Sequence, residues 1–158
     1  MAPGSALTAL ECGCGAGNTV YPLLEEGAAR FVHCCDFSPR AVEVVRAHAA
    51  FSEARVNAFV CDLTERGPVE AGGVAPGSVD VATMVFVLSA VCPEKMPAVL
   101  AHVARALRPG GKVLFRDYAK GDLAEERLDG KRQAASQKLS EGFYVRGDGT
   151  RAFYFTVE

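Results

Sequence analysis

The sequence has no tryptophan, no surplus of basic charge and no long apolar run. No stretch approaches the ~20 consecutive apolar residues a membrane-spanning helix requires. Lys and Arg total 17 against 19 Asp and Glu, a formal charge of −2. A strongly basic nucleic-acid binder is excluded at the level of net charge, while a local basic patch is not. No secretory signal precedes the six cysteines, Cys12, Cys14, Cys34, Cys35, Cys61 and Cys92, and no Arg-rich targeting segment opens the chain. The cysteines lack C-x-x-C spacing, and adjacent Cys34 and Cys35 point to opposite faces if they lie on a strand. Reduced thiols in an intracellular protein and no metal site are expected. His33, His48 and His102 are scattered without ligand spacing.

What is present is a globular composition: 158 residues, 49% apolar and 23% charged, enough for one domain with a real core. Short apolar runs alternate with helix-like patterns, the signature of βαβ units and a mostly parallel, doubly wound α/β sheet. Expected strands are Ala6 to Cys12, Arg30 to Cys35, Val56 to Cys61, Val79 to Leu88 and Lys112 to Tyr118. The fourth is almost wholly apolar, as suits a parallel strand covered on both faces.

A first helix is expected from about Thr19 to Glu26, stopped by Gly27 as C′ residue, with Pro22 tolerated in its first turn. Ser38 as N-cap and Pro39 at N1 open a second helix with an apolar stripe of Ala41, Val42, Val45 and Ala49. Arg66 to Ser78, rich in Gly and Pro, reads as loop. Met96, Val99, Leu100, Val103 and Leu107 recur at helical spacing before Arg108-Pro109-Gly110-Gly111. A polar helix is expected over roughly Asp122 to Leu139, then a β-hairpin of Phe143 to Arg146 and Arg151 to Thr156 around Gly147-Asp148-Gly149-Thr150.

The chemistry concentrates in Glu11-Cys12-Gly13-Cys14-Gly15-Ala16-Gly17-Asn18. A Gly-rich turn between a first strand and a helix lets a ligand approach the backbone and aims helix N-terminal amides at it. Asp36 ends the next strand, 21 residues after Gly15, near the ~20 expected of a carboxylate that accepts ribose hydroxyls. The glycines alternate, so the spacing is not the dinucleotide fingerprint G-x-G-x-x-G. Asp62 closes the third strand before Leu63 and Thr64. With Asp36 and Val85-Phe86-Val87 it is expected to line one pocket at the carboxyl ends of the strands, although an Asx turn is an alternative role for it.

Glu11-x-Gly13-x-Gly15-x-Gly17, Asp36, Asp62 and Leu107-Arg108-Pro109-Gly110-Gly111 together resemble the class I S-adenosylmethionine (SAM) methyltransferases. Four stretches and the hairpin narrow the resemblance: Gly13 to Thr19, Cys35 to Ala41, Phe86 to Val91, Leu114 to Tyr118, and Phe143 to Arg151. These are similar to the tRNA N3-methylcytidine methyltransferases of the methyltransferase-like family, over nearly the whole chain. The resemblance implies a Rossmann-like class I core with an added β-hairpin and SAM as cofactor. The cofactor set it implies is Glu11, Gly13, Gly15, Asp36, Asp62, Leu63 and Val85. Gly13 allows the backbone approach, Asp36 holds the ribose, and Asp62 and Val85 hold the adenine. The expected reaction is methylation of cytidine N3 in tRNA, an in-line displacement resting on alignment, because N3 already carries a lone pair.

Ser89, Arg116, Asp117 and Tyr118, at the ends of strands four and five, are the candidate catalytic or base-contacting residues, with packing or a salt bridge as the alternative. Arg146 and Arg151 are candidate substrate contacts; eleven of the 17 basic residues lie after position 100. Relative to the family, this chain reads as a single SAM-binding domain over residues 1–158, a catalytic core without the longer N-terminal RNA-contacting segment and the last strands. An edge of Val113, Leu114 and Phe115 is then expected to promote self-association. Expected partners are tRNA and a tRNA synthetase or other RNA-binding helper, with no membrane. The expected location is the cytoplasm, with nucleus and mitochondrion left open. A small-molecule SAM methyltransferase and a non-catalytic SAM-fold partner subunit are the alternative functions.

Overall fold

Alternation of apolar side chains sets the frame. In β1 (Leu7–Cys12) Ala9 and Leu10 are both fully buried but belong to different clusters on opposite faces of the sheet. The computed structural model describes residues 7–129 and 137–156. In it, β1, β2 (Ala29–Asp36), β3 (Val56–Val60), β4 (Val79–Val85) and β5 (Leu107–Arg116) form one sheet in the order β3-β2-β1-β4-β5. Every pairing in it is parallel. Strand order reverses between β1 and β4, which places a crevice at their carboxyl ends.

Helices cover both faces, as an all-parallel sheet requires. On one side α1 (Val20–Glu25) and α2 (Pro39–Arg46) bury Val20, Leu24, Val42 and Val45 against Ala9, Val32 and Val56. On the other, α3 (Pro68–Gly72) and α4 (Met96–Ala106) pack near Leu10, Phe59 and Met84, with Val99 and Val103 of α4 fully buried. The punctuation is local chemistry. Gly27 follows α1 at φ 71°, the left-handed conformation of a C′ residue. Ser38 Oγ accepts from the Ala41 amide at 3.4 Å, with Pro39 at N1.

Several boundaries differ from expectation. α2 ends at Arg46, so Ala49 lies beyond it and is exposed. The Gly/Pro-rich segment contains the five-residue α3, started by Pro68 and ended by left-handed Gly73. β4 stops at Val85, because Phe86 adopts φ 56° and the chain turns into a 3-10 turn, Leu88–Ala90. The run Arg108 to Gly111 lies within β5, which begins at Leu107 and ends at Arg116. The expected polar helix is realised as α5 (Leu123–Asp129), its stretch over residues 130–136 lies outside the described residues, and Lys138–Ser140 is strand β6 instead.

β6, β7 (Phe143–Val145) and β8 (Arg151–Phe153) form a small antiparallel sheet, the hairpin pairing Tyr144 with Ala152. It carries its own core of Tyr144, Ala152 and Tyr154 with Leu128 of α5. Its end meets the main sheet just past β5: Phe155 donates its amide to Tyr118 O, and Lys120 donates to Phe155 O, both at 2.9 Å. The hairpin's end therefore passes beyond Val113 and Leu114 and meets only the Phe115 ring, edge-on from Phe155 at 5.3 Å; the three stay 38%, 56% and 49% exposed on the edge strand. Among the described residues no helix is long and apolar enough to cross a membrane.

Candidate functional site

A cleft of about 750 Å³ opens at the carboxyl ends of the strands, where the order reverses. Gly13, Asp36, Asp62, Leu63, Phe86, Val87 and Arg151 contribute to its walls. The volume is in the ~300–1,000 Å³ range of small-molecule sites.

Gly13 follows β1 directly, at φ 66°. A Cβ built there would lie 2.5 Å from Val87 Cγ2. Glycine is thus required twice, by backbone conformation and by the approach of the turn after β4. The turn is anchored across the crevice: Gly15 donates its amide to Asp36 Oδ2 at 3.0 Å, and Ser38 donates to Asp36 Oδ1 at 2.9 Å. Each carboxylate oxygen keeps a second lone-pair site for a ligand hydroxyl.

Asp62, two residues past the end of β3, accepts on Oδ1 from the Thr64 amide at 2.9 Å and the Thr64 hydroxyl at 2.8 Å. This is the Asx turn, made by a residue that also lines the cleft. Val85 ends β4 half-buried behind the lining, while the next two residues, Phe86 and Val87, form the wall itself.

Glu11 sits behind the Gly turn, 3% exposed, and accepts from the Thr83 hydroxyl. Burial raises its pKa from an ordinary 4.5 to about 7, with a hydrogen bond from Thr19 pulling the other way. Glu11 is not itself in the cleft wall but stands two residues before Gly13, which is, and a cationic group arriving near it would favour its ionised form.

The four candidates after β4 and β5 divide into two kinds. Ser89 is 1% exposed and donates its amide to Asp117 Oδ2 at 2.9 Å, while Asp117 Oδ1 accepts from the Tyr118 amide at 3.0 Å. Asp117 therefore braces the turn after β4 against the end of β5, and among the described residues it forms no ion pair with Arg116. Arg116 and Tyr118 instead face the rim. The Arg116 guanidinium lies 5.5 Å from the Phe86 ring centroid, and Tyr118 packs on the same ring at 4.8 Å.

The hairpin brings its two arginines to the same neighbourhood, Arg151 to the cleft wall and Arg146 to 4.7 Å over the Tyr118 ring. The sequence places Phe86 in the pocket, among apolar side chains that sandwich an adenine ring, but does not single out Phe37, which is 77% exposed on the cleft rim. An aromatic residue directly after β2 and after β4 is the available signal.

Five of the six free cysteines are buried. Cys12 and Cys35 are register partners on neighbouring strands, and hydrogen bonds with neighbouring thiols, reinforced by burial, push the Cys34, Cys35 and Cys61 thiols up in pKa, away from the reactive thiolate. Among the described residues no group of three or more His, Cys, Asp or Glu is arranged to hold a metal.

A family model described as a methyltransferase domain matches residues 10–113. The tRNA N(3)-cytidine methyltransferase METTL6 of Mus musculus is 50% identical over 155 residues, covering 98% of this chain and 52% of the relative. The tRNA N(3)-cytidine methyltransferase METTL2B of Homo sapiens is 45% identical over 160 residues, covering 99% of this chain and 40% of the relative. The chain thus spans about half the length of the curated relatives it matches. Among solved structures, a SAM-dependent methyltransferase from Methanosarcina mazei shares the fold at a TM-score of 0.71 and 19% identity, covering 96% of this chain and 74% of that one. With the cleft at the reversal of strand order, the Gly13 turn against Val87 and Asp36 bonded to that turn, the matched span places this chain in the methyltransferase-domain family, whose cofactor is S-adenosylmethionine.

Proposed function

We propose that this chain is the SAM-dependent catalytic core of a tRNA methyltransferase acting on cytidine N3. The observation that carries the reading is the extent of the likeness: 50% identity to a protein so described runs over 155 residues, well past the family model's end at residue 113. It therefore takes in the segment from which Arg146 and Arg151 reach the cleft rim.

SAM supplies an electrophilic methyl group on its sulfonium. The chain's own residues bind and align. Gly13 gives the close backbone approach, Asp36 accepts ribose hydroxyls, and Asp62 and Leu63 flank the adenine, with Val85 supporting that wall from behind. Glu11, with Gly15, serves the amino-acid end. No residue is assigned to take a proton, since cytosine N3 attacks with its lone pair, and alignment and charge placement carry the rate. N3 lies on the pairing edge, so the base must be unpaired or flipped out. Arg146 and Arg151 take RNA phosphates, and Ser89 and Asp117 hold the turn at which the base arrives.

A methylation assay on unmodified tRNA beside a SAM titration tests the reading; SAM binding with no methyl transfer, with or without an RNA-binding helper, would favour a non-catalytic SAM-fold subunit. Asp36→Ala is expected to weaken SAM by about 1.5–3 kcal/mol, the scale of hydrogen bonds to a charged group. Calorimetric titration of the variant checks this, and an unchanged affinity rejects the ribose role. The reading places the chain in the cytoplasm, as one domain, with tRNA and a synthetase or similar RNA-binding protein as partners.

Self-association belongs to the same proposal. Val113, Leu114 and Phe115 are exposed on an edge strand whose outer side has no partner strand among the described residues. Flat apolar edges of this kind template pairing with another chain. The isolated chain is expected to elute as more than a monomer in size exclusion with light scattering. A clean monomer whose amides at Val113 to Phe115 exchange slowly would contradict an open edge.

A further inference from the structure

We propose that Phe86 is the side chain on which the target base stacks, presented at the cleft rim by a strained backbone and flanked by Arg116 and Tyr118. The inference rests on the reading of an RNA base as substrate.

Phe86 is the one non-glycine with positive φ, 56°, among the described residues. For a bulky side chain that conformation is an outlier, kept only where the surroundings over-determine it, and such outliers cluster at functional sites. The surroundings here are specific. The Phe86 amide donates to Arg116 O at 2.9 Å, one step past the β4–β5 ladder. The chain then turns, so that the ring lines the cleft at 44% exposure instead of entering the core beneath it. The next residue, Val87, packs on the position where a Gly13 Cβ would stand. One turn thus serves both halves of the reaction, Val87 against the Gly turn and Phe86 on the substrate side.

The ring's neighbours fit an unpaired nucleotide. Arg116 stands 5.5 Å over Phe86, Tyr118 lies at 4.8 Å, and Arg146 stands 4.7 Å over Tyr118. The 44% of Phe86 left open to the cleft offers stacking surface for a base, and the two guanidinium groups beside the rings offer cations for the neighbouring phosphates. A Phe serving only to fill space gains by burial and has no need of a left-handed backbone. Phe86 is nearly half exposed and adopts one.

The absence of tryptophan supplies the test. Phe86→Trp creates a single fluorophore, and its emission is followed as a short single-stranded RNA with one central cytidine is added in the presence of S-adenosylhomocysteine. Saturable quenching is expected with cytidine and is largely lost with an abasic nucleotide at that position. Leu100→Trp, at an exposed position on the outer side of α4, is the control and stays unchanged.

In methyl transfer to tRNA, Phe86→Leu is expected to raise KM for RNA about tenfold or more, the scale of a lost base stack. Any effect on SAM affinity is smaller than the effect on KM for RNA, and Phe86→Tyr retains near wild-type KM. Phe86→Gly loses the stack while relieving the backbone, so its melting temperature does not fall below that of Phe86→Leu. Thermal melts confirm that each variant is folded. RNA that binds Phe86→Trp by anisotropy without quenching, or an unaltered KM in Phe86→Leu, overturns the stacking role while the wild type still forms 3-methylcytidine. A wild type that neither binds cytidine RNA nor methylates tRNA overturns the functional reading, and this inference with it.

Discussion

Gly13→Ala should abolish useful cofactor binding and lower the melting temperature. Two penalties combine. Alanine at φ 66° sits in the left-handed region, at a cost of about 1 kcal/mol. Its Cβ would also stand 2.5 Å from Val87 Cγ2, an overpacking worth about 1–3 kcal/mol, because a β-branched side chain has little rotamer freedom to move away. The clash is relieved by shifting the Gly turn or the turn after β4, and either shift deforms the cleft wall. SAM affinity should fall by about 100-fold or more, equivalent to ~2.7 kcal/mol or more. Calorimetry and a thermal melt check both effects. Val87→Ala in the same chain should recover the overpacking part and leave the backbone part. A Gly13→Ala protein with wild-type affinity would remove the Gly turn from the cofactor site.

Glu11→Gln should uncouple both stability and SAM binding from pH near neutrality. The folded protein raises the Glu11 pKa from an ordinary 4.5 to about 7 by burying it. In that interval the folded state holds a proton that the unfolded state has released, so stability falls as pH rises through it. The loss is absent below 4.5 and complete above about 7, up to about 3 kcal/mol for a shift of this size. The Gln variant lacks this slope and should be the more stable of the two, in the cofactor-free state, at pH 8. SAM binding should show the converse. Its cationic groups favour ionised Glu11, so wild-type affinity falls as pH drops below about 7, where binding must release the proton Glu11 holds, while the Gln variant binds more weakly and nearly independently of pH. Superimposable pH profiles for the two proteins, in melting and in titration, would remove Glu11 from the account.

What the sequence made legible was local. Ser38-Pro39 announced the start of α2, and the side-chain oxygen and the ring act within one turn. Gly27 announced the end of α1 for the same reason. The reach from the Gly turn to Asp36 was legible because one βαβ unit fixes it, and the structure closes it with the Gly15 amide on the carboxylate. The turn at Phe86 was not legible. Val79 to Leu88 is one apolar run, and hydrophobicity does not report φ, so the strand was extended three residues too far. α3 was hidden because five residues bounded by Gly67 and Gly73 carry too little periodicity against the loop signals around them. Lys138 and Leu139, at the end of the expected polar helix, are strand because tertiary pairing with β7 decides over local composition. Ser89 and Asp117 show the remaining limit. A polar residue after a strand either meets a ligand or braces the turn, and only the 2.9 Å bond between the Ser89 amide and Asp117 Oδ2 identifies bracing here.

The central claim is that this methyltransferase fold transfers its methyl group to cytidine N3 in tRNA. The most direct measurement supplies SAM carrying an isotopically labelled methyl group to the protein and unmodified tRNA, digests the RNA and resolves its nucleosides by mass. The expected result is label in 3-methylcytidine, formed slowly and with a rate that falls as salt rises. The chain's net charge of −2 leaves phosphate contacts to a few arginines, and those contacts are screened by salt. Label in a different nucleoside, or none in RNA while SAM binds and an RNA-binding helper is present, would contradict the account.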